Sequence, residues 1–139
     1  MAIERTLAII KPDAVGRGQQ GEILARIQKA GFKIVAIKSM RLTEEEAGGF
    51  YYVHRERPFY GELTEFMSSG KIFALVLEAE GAIVKWRDAM GVTDPKKAAP
   101  GTIRHDLGTN IAQNCVHGSD APQTAAFEIA YFFSALEAI

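Results

Sequence analysis

The chain is poor in cysteine: Cys115 is the single one among 139 residues. An intramolecular disulfide is impossible, and zinc sites built on paired cysteines are excluded. Such usage suits a reducing compartment. Excess charge of either sign is also missing. Sixteen Lys and Arg stand against seventeen Asp and Glu, a formal charge of −1. No global field steers the protein to nucleic acid or to a membrane, and neither is expected as a partner. No apolar run approaches the ~20 residues of a membrane helix. The first residues lack the basic start, long apolar stretch and cleavage site of a signal peptide, so the expected location is cytoplasmic. Repeats and low-complexity segments are absent. What remains is an ordinary globular composition, 47% apolar and 24% charged, with a length that fits one domain over residues 1–139.

Periodicity gives the element order β-α-β-α-α-β-α-β-α. Residues 6–10 form a short β-rich run stopped by Pro12. Residues 22–30 place Ile23, Leu24, Ile27 and Ala30 on one helical stripe, with Gly31 suited to the position after the cap. Residues 32–40 alternate as a strand with one face partly wet. Thr43 and Glu46 make a capping box for a helix to residue 52, and a second helix fits 60–68. Residues 72–77 read as a buried strand and 81–90 as a helix. Residues 92–108 hold two prolines and two glycines and read as a long surface loop, a type that is often functional. A short strand covers 115–117. Asp120 is expected to cap a helix to residue 136, with Gln123 closing the box. The order defines an α/β domain, in which a parallel doubly wound sheet and an antiparallel sheet are both open.

Two motifs mislead. Gly16-Arg17-Gly18-Gln19-Gln20-Gly21 spells a dinucleotide fingerprint. It does not follow its strand directly, and the next strand ends in Lys38 and Arg41 where a ribose-binding acid is wanted. It reads better as a glycine turn. Val35-Ala36-Ile37-Lys38 matches a protein-kinase strand, but neither H-R-D nor D-F-G is present, so Lys38 reads as a solvated strand residue. The G-x-x-x-x-G-K-[ST] phosphate loop is missing too.

Phosphate chemistry would then need cations gathered from elsewhere. His54 reads as an exposed or helix-end residue, and His105 as the partner of Asp106. His117 differs. It lies in Asn114-Cys115-Val116-His117-Gly118-Ser119-Asp120, between a strand and a helix start, with Gly118 permitting a sharp turn. Helix starts attract anions, and Ser119 and Glu128 are candidates to fix one ring nitrogen. Arg87 has Ile83, Val84 and Met90 as helical neighbours, so it lies on or beside the apolar stripe. A reach into a cleft is one reading, but taken alone it reads better as an arginine whose stem covers the core edge while its head reaches solvent. Thr93 and Arg104 flank the long loop, and Lys11 ends the first strand.

Taken together, these segments resemble one family over essentially the whole chain. Residues 4–13, His54 to Phe59 with its Arg57-Pro58-Phe59, Ala99 to Arg104 and Asn114 to Asp120, in that order, are similar to nucleoside diphosphate kinase. Cys115 stands where a small aliphatic residue is more usual. The resemblance implies a ferredoxin-like βαββαβ core with a four-stranded antiparallel sheet and a helical pair inserted between the second and third strands. It implies transfer of the γ-phosphate of a nucleoside triphosphate to a nucleoside diphosphate through a phosphohistidine. His117 would be the nucleophile, supported by Glu128 and Tyr51. Phe59 would stack on the base, Lys11 and Asn114 would hold the sugar, and Arg87, Thr93 and Arg104 the phosphates. The implied cofactor is Mg²⁺ carried on the nucleotide phosphates without a protein metal cage, and the implied assembly is a homodimer, tetramer or hexamer. The chemistry is coherent, because phosphoryl transfer is mostly positioning and charge stabilisation. Two other readings compete: a non-catalytic nucleotide-binding regulatory domain, and a histidine phosphocarrier. The first leaves the His, Glu and Arg set without a purpose. The second has no need of a base-stacking aromatic.

Overall fold

A computed structural model describes residues 2–139. Four strands, β1 (Ile3–Ile10), β2 (Lys33–Met40), β3 (Ile72–Glu80) and β4 (Val116–Gly118), form one antiparallel sheet in the order β2-β3-β1-β4. The helices are α1 (Pro12–Gly16), α2 (Gln20–Lys29), α3 (Glu44–Phe50), α4 (Tyr60–Met67), α5 (Ala82–Met90), α6 (Ile103–Leu107) and α7 (Pro122–Phe132). A 3₁₀ turn (Tyr52–His54) joins α3 to α4, which together are the helical pair between β2 and β3.

The apolar run of β1 has a simple cause. Ala8 and Ile10 face a layer holding Ile23, Ile27, Trp86, Met90 and Ile103. Leu7 and Ile9 face the opposite layer of Ala47, Phe50, Met67 and Phe132. Both faces of the sheet are covered, so neither side of β1 is polar. Each fully buried aliphatic side chain contributes about 1.5–3 kcal/mol. β2 lies at the sheet edge and keeps a half-wet face, as its alternation predicts.

Several boundaries differ from the sequence reading, each for a local reason. Pro12 does end β1, but it also sits in the first turn of α1, where its missing N–H costs nothing. Gly18, at φ +71°, makes the turn into α2, and Gly31, at φ +93°, follows its last turn. The capping box of Thr43 and Glu46 is present. α3 ends at Phe50 instead of residue 52. The long loop is not wholly irregular, because the Thr102 hydroxyl accepts the His105 amide and starts α6. Ala121, not Asp120, precedes α7; Thr124, not Gln123, closes the turn by accepting the Ala121 amide at 3.0 Å. α7 stops at Phe132 instead of residue 136. The tail beyond it folds back over the sheet. Lys38 donates to the Phe132 carbonyl and pairs with Glu137, both at 2.8 Å, so it is a clamp and not a solvated residue. Arg5 pairs with Glu78 and donates to the carbonyls of Ala138 and Ile139.

Gly118 is needed for space, not for a turn. Its φ is not positive. A Cβ there would stand 2.5 Å from Trp86 Cδ1 and 2.7 Å from Met90 Cε. Trp86 is fully buried and donates its indole N–H to the His117 carbonyl at 3.1 Å, so it cannot withdraw cheaply. Gly118→Ala should therefore cost about 1–3 kcal/mol through overpacking. Chemical denaturation of the purified variant measures this, and an unchanged midpoint would contradict it.

Candidate functional site

The C-terminal end of β1, the loop before β4 and the α3–α4 pair converge on a cleft of about 580 Å³. That volume suits a small-molecule ligand. Lys11, Tyr51, Phe59, Arg87, Thr93, Arg104, Asn114 and His117 all line it. A neighbouring hollow of about 480 Å³ shares Arg87, Thr93 and Arg104 with it and continues the same site. The sequence order scatters these residues over more than a hundred positions, and the sheet gathers them.

His117 enters from β4, paired with Ile9 of β1. Its Nε2 lies 3.0 Å from Glu128 Oε1. The Leu7 amide donates to Ser119 Oγ at 3.1 Å, which commits the hydroxyl proton to Glu128 Oε1 at 2.8 Å. An ionised carboxylate only accepts, so the ring must supply the proton at Nε2. Nδ1 keeps its lone pair and has no hydrogen bond to the described residues. Thus Glu128, not Ser119, holds the ring, and Ser119 holds Glu128. The imidazole points back over the body of α7, which is how a glutamate two turns into the helix reaches it. Phe50 and Tyr51 pack against the ring edge-on, at centroid distances of 5.3 and 5.9 Å. The Tyr51 hydroxyl is buried without a partner, and burial with the Glu128 charge nearby pushes its ionisation well above the usual phenol range.

The cations are held to differing degrees. Arg104 is buried; Nη1 and Nη2 donate to the carbonyls of Gly91 and Val116 at 3.0 and 2.8 Å. Burial, with Arg87 adding to it, lowers its pKa to about 10. Arg87 pairs with Asp120 at 2.7 Å and stays half-exposed. Lys11 Nζ donates to Asn114 Oδ1 at 2.8 Å, and Asn114 Nδ2 donates to the Thr93 carbonyl at 3.0 Å. This chain of bonds ties the end of β1 to the long loop. Burial, and then Arg104, lowers the Lys11 pKa to about 8. Phe59 is 48% exposed, an aromatic face left open at the mouth.

Sequence reasoning missed part of the wall. His54 lies in the cleft and packs on Phe59 at 5.6 Å. Its place five residues before Phe59 is the signal that was there to use. Ile111 lines the mouth as well. His105 keeps to its expected partner, with Nδ1 2.9 Å from Asp106. Among the described residues no three His, Cys, Asp or Glu side chains converge as a metal cage, and no helix is long and apolar enough to cross a membrane.

A family model described as nucleoside diphosphate kinase matches residues 4–138. The nucleoside diphosphate kinase of Pelobacter propionicus is 58% identical over 137 residues, covering 99% of this chain and all of that one. That of Syntrophotalea carbinolica is 57% identical over 135 residues, covering 97% and 98%. Among solved structures, the Aquifex aeolicus nucleoside diphosphate kinase superposes with a TM-score of 0.97 at 52% identity, covering 99% and 100%. The Halobacterium salinarum enzyme, solved in complex with CDP, gives 0.94 at 42% identity, covering 99% and 92%.

Proposed function

Since this chain belongs to the nucleoside diphosphate kinase family and moves a phosphoryl group between nucleotides, we propose that the transfer runs through His117. The observation that carries this is the ring geometry: Nε2 is held by Glu128 at 3.0 Å and Nδ1 is left free in a cleft lined by Arg87 and Arg104. Nδ1 attacks the γ-phosphorus of a nucleoside triphosphate, and the bond to the leaving diphosphate breaks. Glu128 balances the positive charge that develops on the ring, as the buried aspartate does in a serine-protease triad. A second nucleoside diphosphate then takes the phosphoryl group by the reverse path, so one site serves donor and acceptor in turn. Arg104 and Arg87 stabilise charge on the transferring group, with Thr93 beside them. Phe59 stacks on the base, which is tolerant of base identity because every base has a π-face. Lys11 and Asn114, already bonded to each other, hold the sugar. Tyr51 supports the ring from its edge.

The residues fit Mg²⁺ that enters with the substrate. Among the described residues Glu62 and Asp120 line the cleft and Asp88 its continuation; they do not converge as a cage, and Asp120 is paired with Arg87. Bound to the phosphates, Mg²⁺ would neutralise charge on their oxygens. The proposal includes one catalytic unit over residues 1–139, a homo-oligomer of two, four or six chains, and a cytoplasmic location.

The decisive test is to incubate the protein with γ-labelled ATP, remove nucleotide, and find acid-labile label on protein that passes to added GDP. Label that never appears on protein would exclude the covalent route. Glu128→Gln keeps the shape and the Nε2 bond but removes the charge. His117 phosphorylation should slow by at least about tenfold, with little change in melting temperature. Rapid mixing measures it, and an unaltered rate would reduce Glu128 to a surface helix residue.

Lys11 makes nucleotide binding pH-dependent. Its free pKa of about 8 means that it loses its charge above that pH. A bound anionic nucleotide favours the charged form, so binding near pH 8.5 should take up a proton. Calorimetry in buffers of different ionisation enthalpy detects this uptake, and Lys11→Met should abolish it. The same depressed pKa lowers folding stability below pH 8, and that penalty is relieved as pH rises toward the unfolded value.

A further inference from the structure

The run Gly16 to Gly21 plays no part in the chemistry above, yet it presents Arg17 to the carboxylate of Asp13 and to the thiol of Cys115, two residues before His117. There the chain does something unusual. Cys115 has φ +74°, and it is the single described non-glycine residue with positive φ. L-residues adopt this conformation only when their surroundings impose it.

The surroundings are the corner between β1 and α2. The Cys115 amide donates to Asp13 Oδ2 at 3.1 Å, and its carbonyl accepts the Lys11 amide at 2.8 Å. The Asp13 side chain is 3% exposed, so its acceptor oxygen does not face water. Arg17 Nη2 lies 3.6 Å from the same oxygen and 3.5 Å from Cys115 Sγ. Arg17 is itself fixed by the Leu107 carbonyl at 2.9 Å and Thr109 Oγ1 at 2.8 Å. The thiol is chemically quiet, because burial pushes it up to about 11. β4 is three residues long and pairs only with residues 8–10 of β1. So short a strand takes its direction from the turn that feeds it.

We propose that Asp13, braced by Arg17, is a positioning residue for His117 and acts by holding Cys115 in its left-handed turn. The false dinucleotide motif is then a bracket for the catalytic strand. The inference rests on His117 as the nucleophile, but it has a readout independent of that reading. Trp86 is the single tryptophan and donates to the His117 carbonyl, so its emission reports where β4 lies.

The experiment compares Asp13→Ala, Asp13→Asn, Cys115→Gly and the double variant Asp13→Ala/Cys115→Gly. Asp13→Ala should slow His117 phosphorylation roughly tenfold with an unchanged nucleotide KM, because misplacing a reacting group costs rate. Trp86 emission should shift with it. Asp13→Asn retains an acceptor and should match the wild type in both. Cys115→Gly alone should also match, since glycine tolerates positive φ. In the double variant glycine adopts the turn without strain, and rate and emission should return toward wild type. If Asp13→Ala does not fold, Arg17→Ala takes its place, with a severalfold loss that Cys115→Gly again recovers. An unchanged rate and emission in Asp13→Ala would overturn the proposal. So would a loss that raises KM in step and that glycine fails to recover.

Discussion

Replacing His117 by alanine or glutamine should abolish transfer between nucleotides, a loss of at least ~10⁴-fold in kcat, while the melting temperature stays within a few degrees. The two halves of this expectation have separate causes. The strand is tied down through the His117 backbone, by pairing with Ile9 and by the Trp86 bond to its carbonyl. Neither bond involves the ring. The ring contributes edge contacts to Phe50 and Tyr51 and one bond to Glu128, and glutamine can still donate to that carboxylate. What glutamine lacks is a basic nitrogen with a free lone pair. Activity near wild type in a folded variant would sink the covalent mechanism.

Arg104→Ala should lose several kcal/mol of transition-state stabilisation, on the order of 10²–10³ in kcat/KM. Here, unlike at His117, stability should fall too. The guanidinium spans the carbonyls of Gly91 and Val116 and so links the long loop to β4. Alanine leaves both without that donor, at about 1–3 kcal/mol for each that remains buried and unpaired. Arg104→Lys restores a charge but not a fork that reaches two acceptors. Lysine should therefore recover part of the stability and little of the rate. Steady-state kinetics beside thermal melts separate the two effects. An Arg104→Ala enzyme with unchanged kcat/KM would remove the residue from the site.

Much of this was legible because the chemistry sits in short contiguous segments. Asn114 to Asp120 and Arg57-Pro58-Phe59 carry their meaning in neighbouring residues, and the Thr43–Glu46 box is a local signal too. The illegible parts follow from ambiguity or distance. Pro12 both ends a strand and opens a helix, and sequence alone reveals the first role. Thr102 starts α6 inside a stretch whose prolines and glycines read as loop. Lys38 meets Phe132 and Glu137 across most of the chain, and no periodicity points there. Gly118 looks like a turn glycine until the indole of Trp86 is placed beside it.

The place of β1 in the sheet also sets the order in which the protein can be finished. β1 is synthesised early, yet Ile9 needs Ala74 on one side and His117 on the other. Contacts so distant in sequence make folding slow. A nascent chain that has released β3 but not β4 exposes an unpaired β1 edge at residues 8–10, a template for mispairing. His117 arrives with the strand that covers this edge. The ribosome therefore delivers His117, the proposed nucleophile, and seals the sheet in the same step, and a chain halted before β4 lacks that side chain.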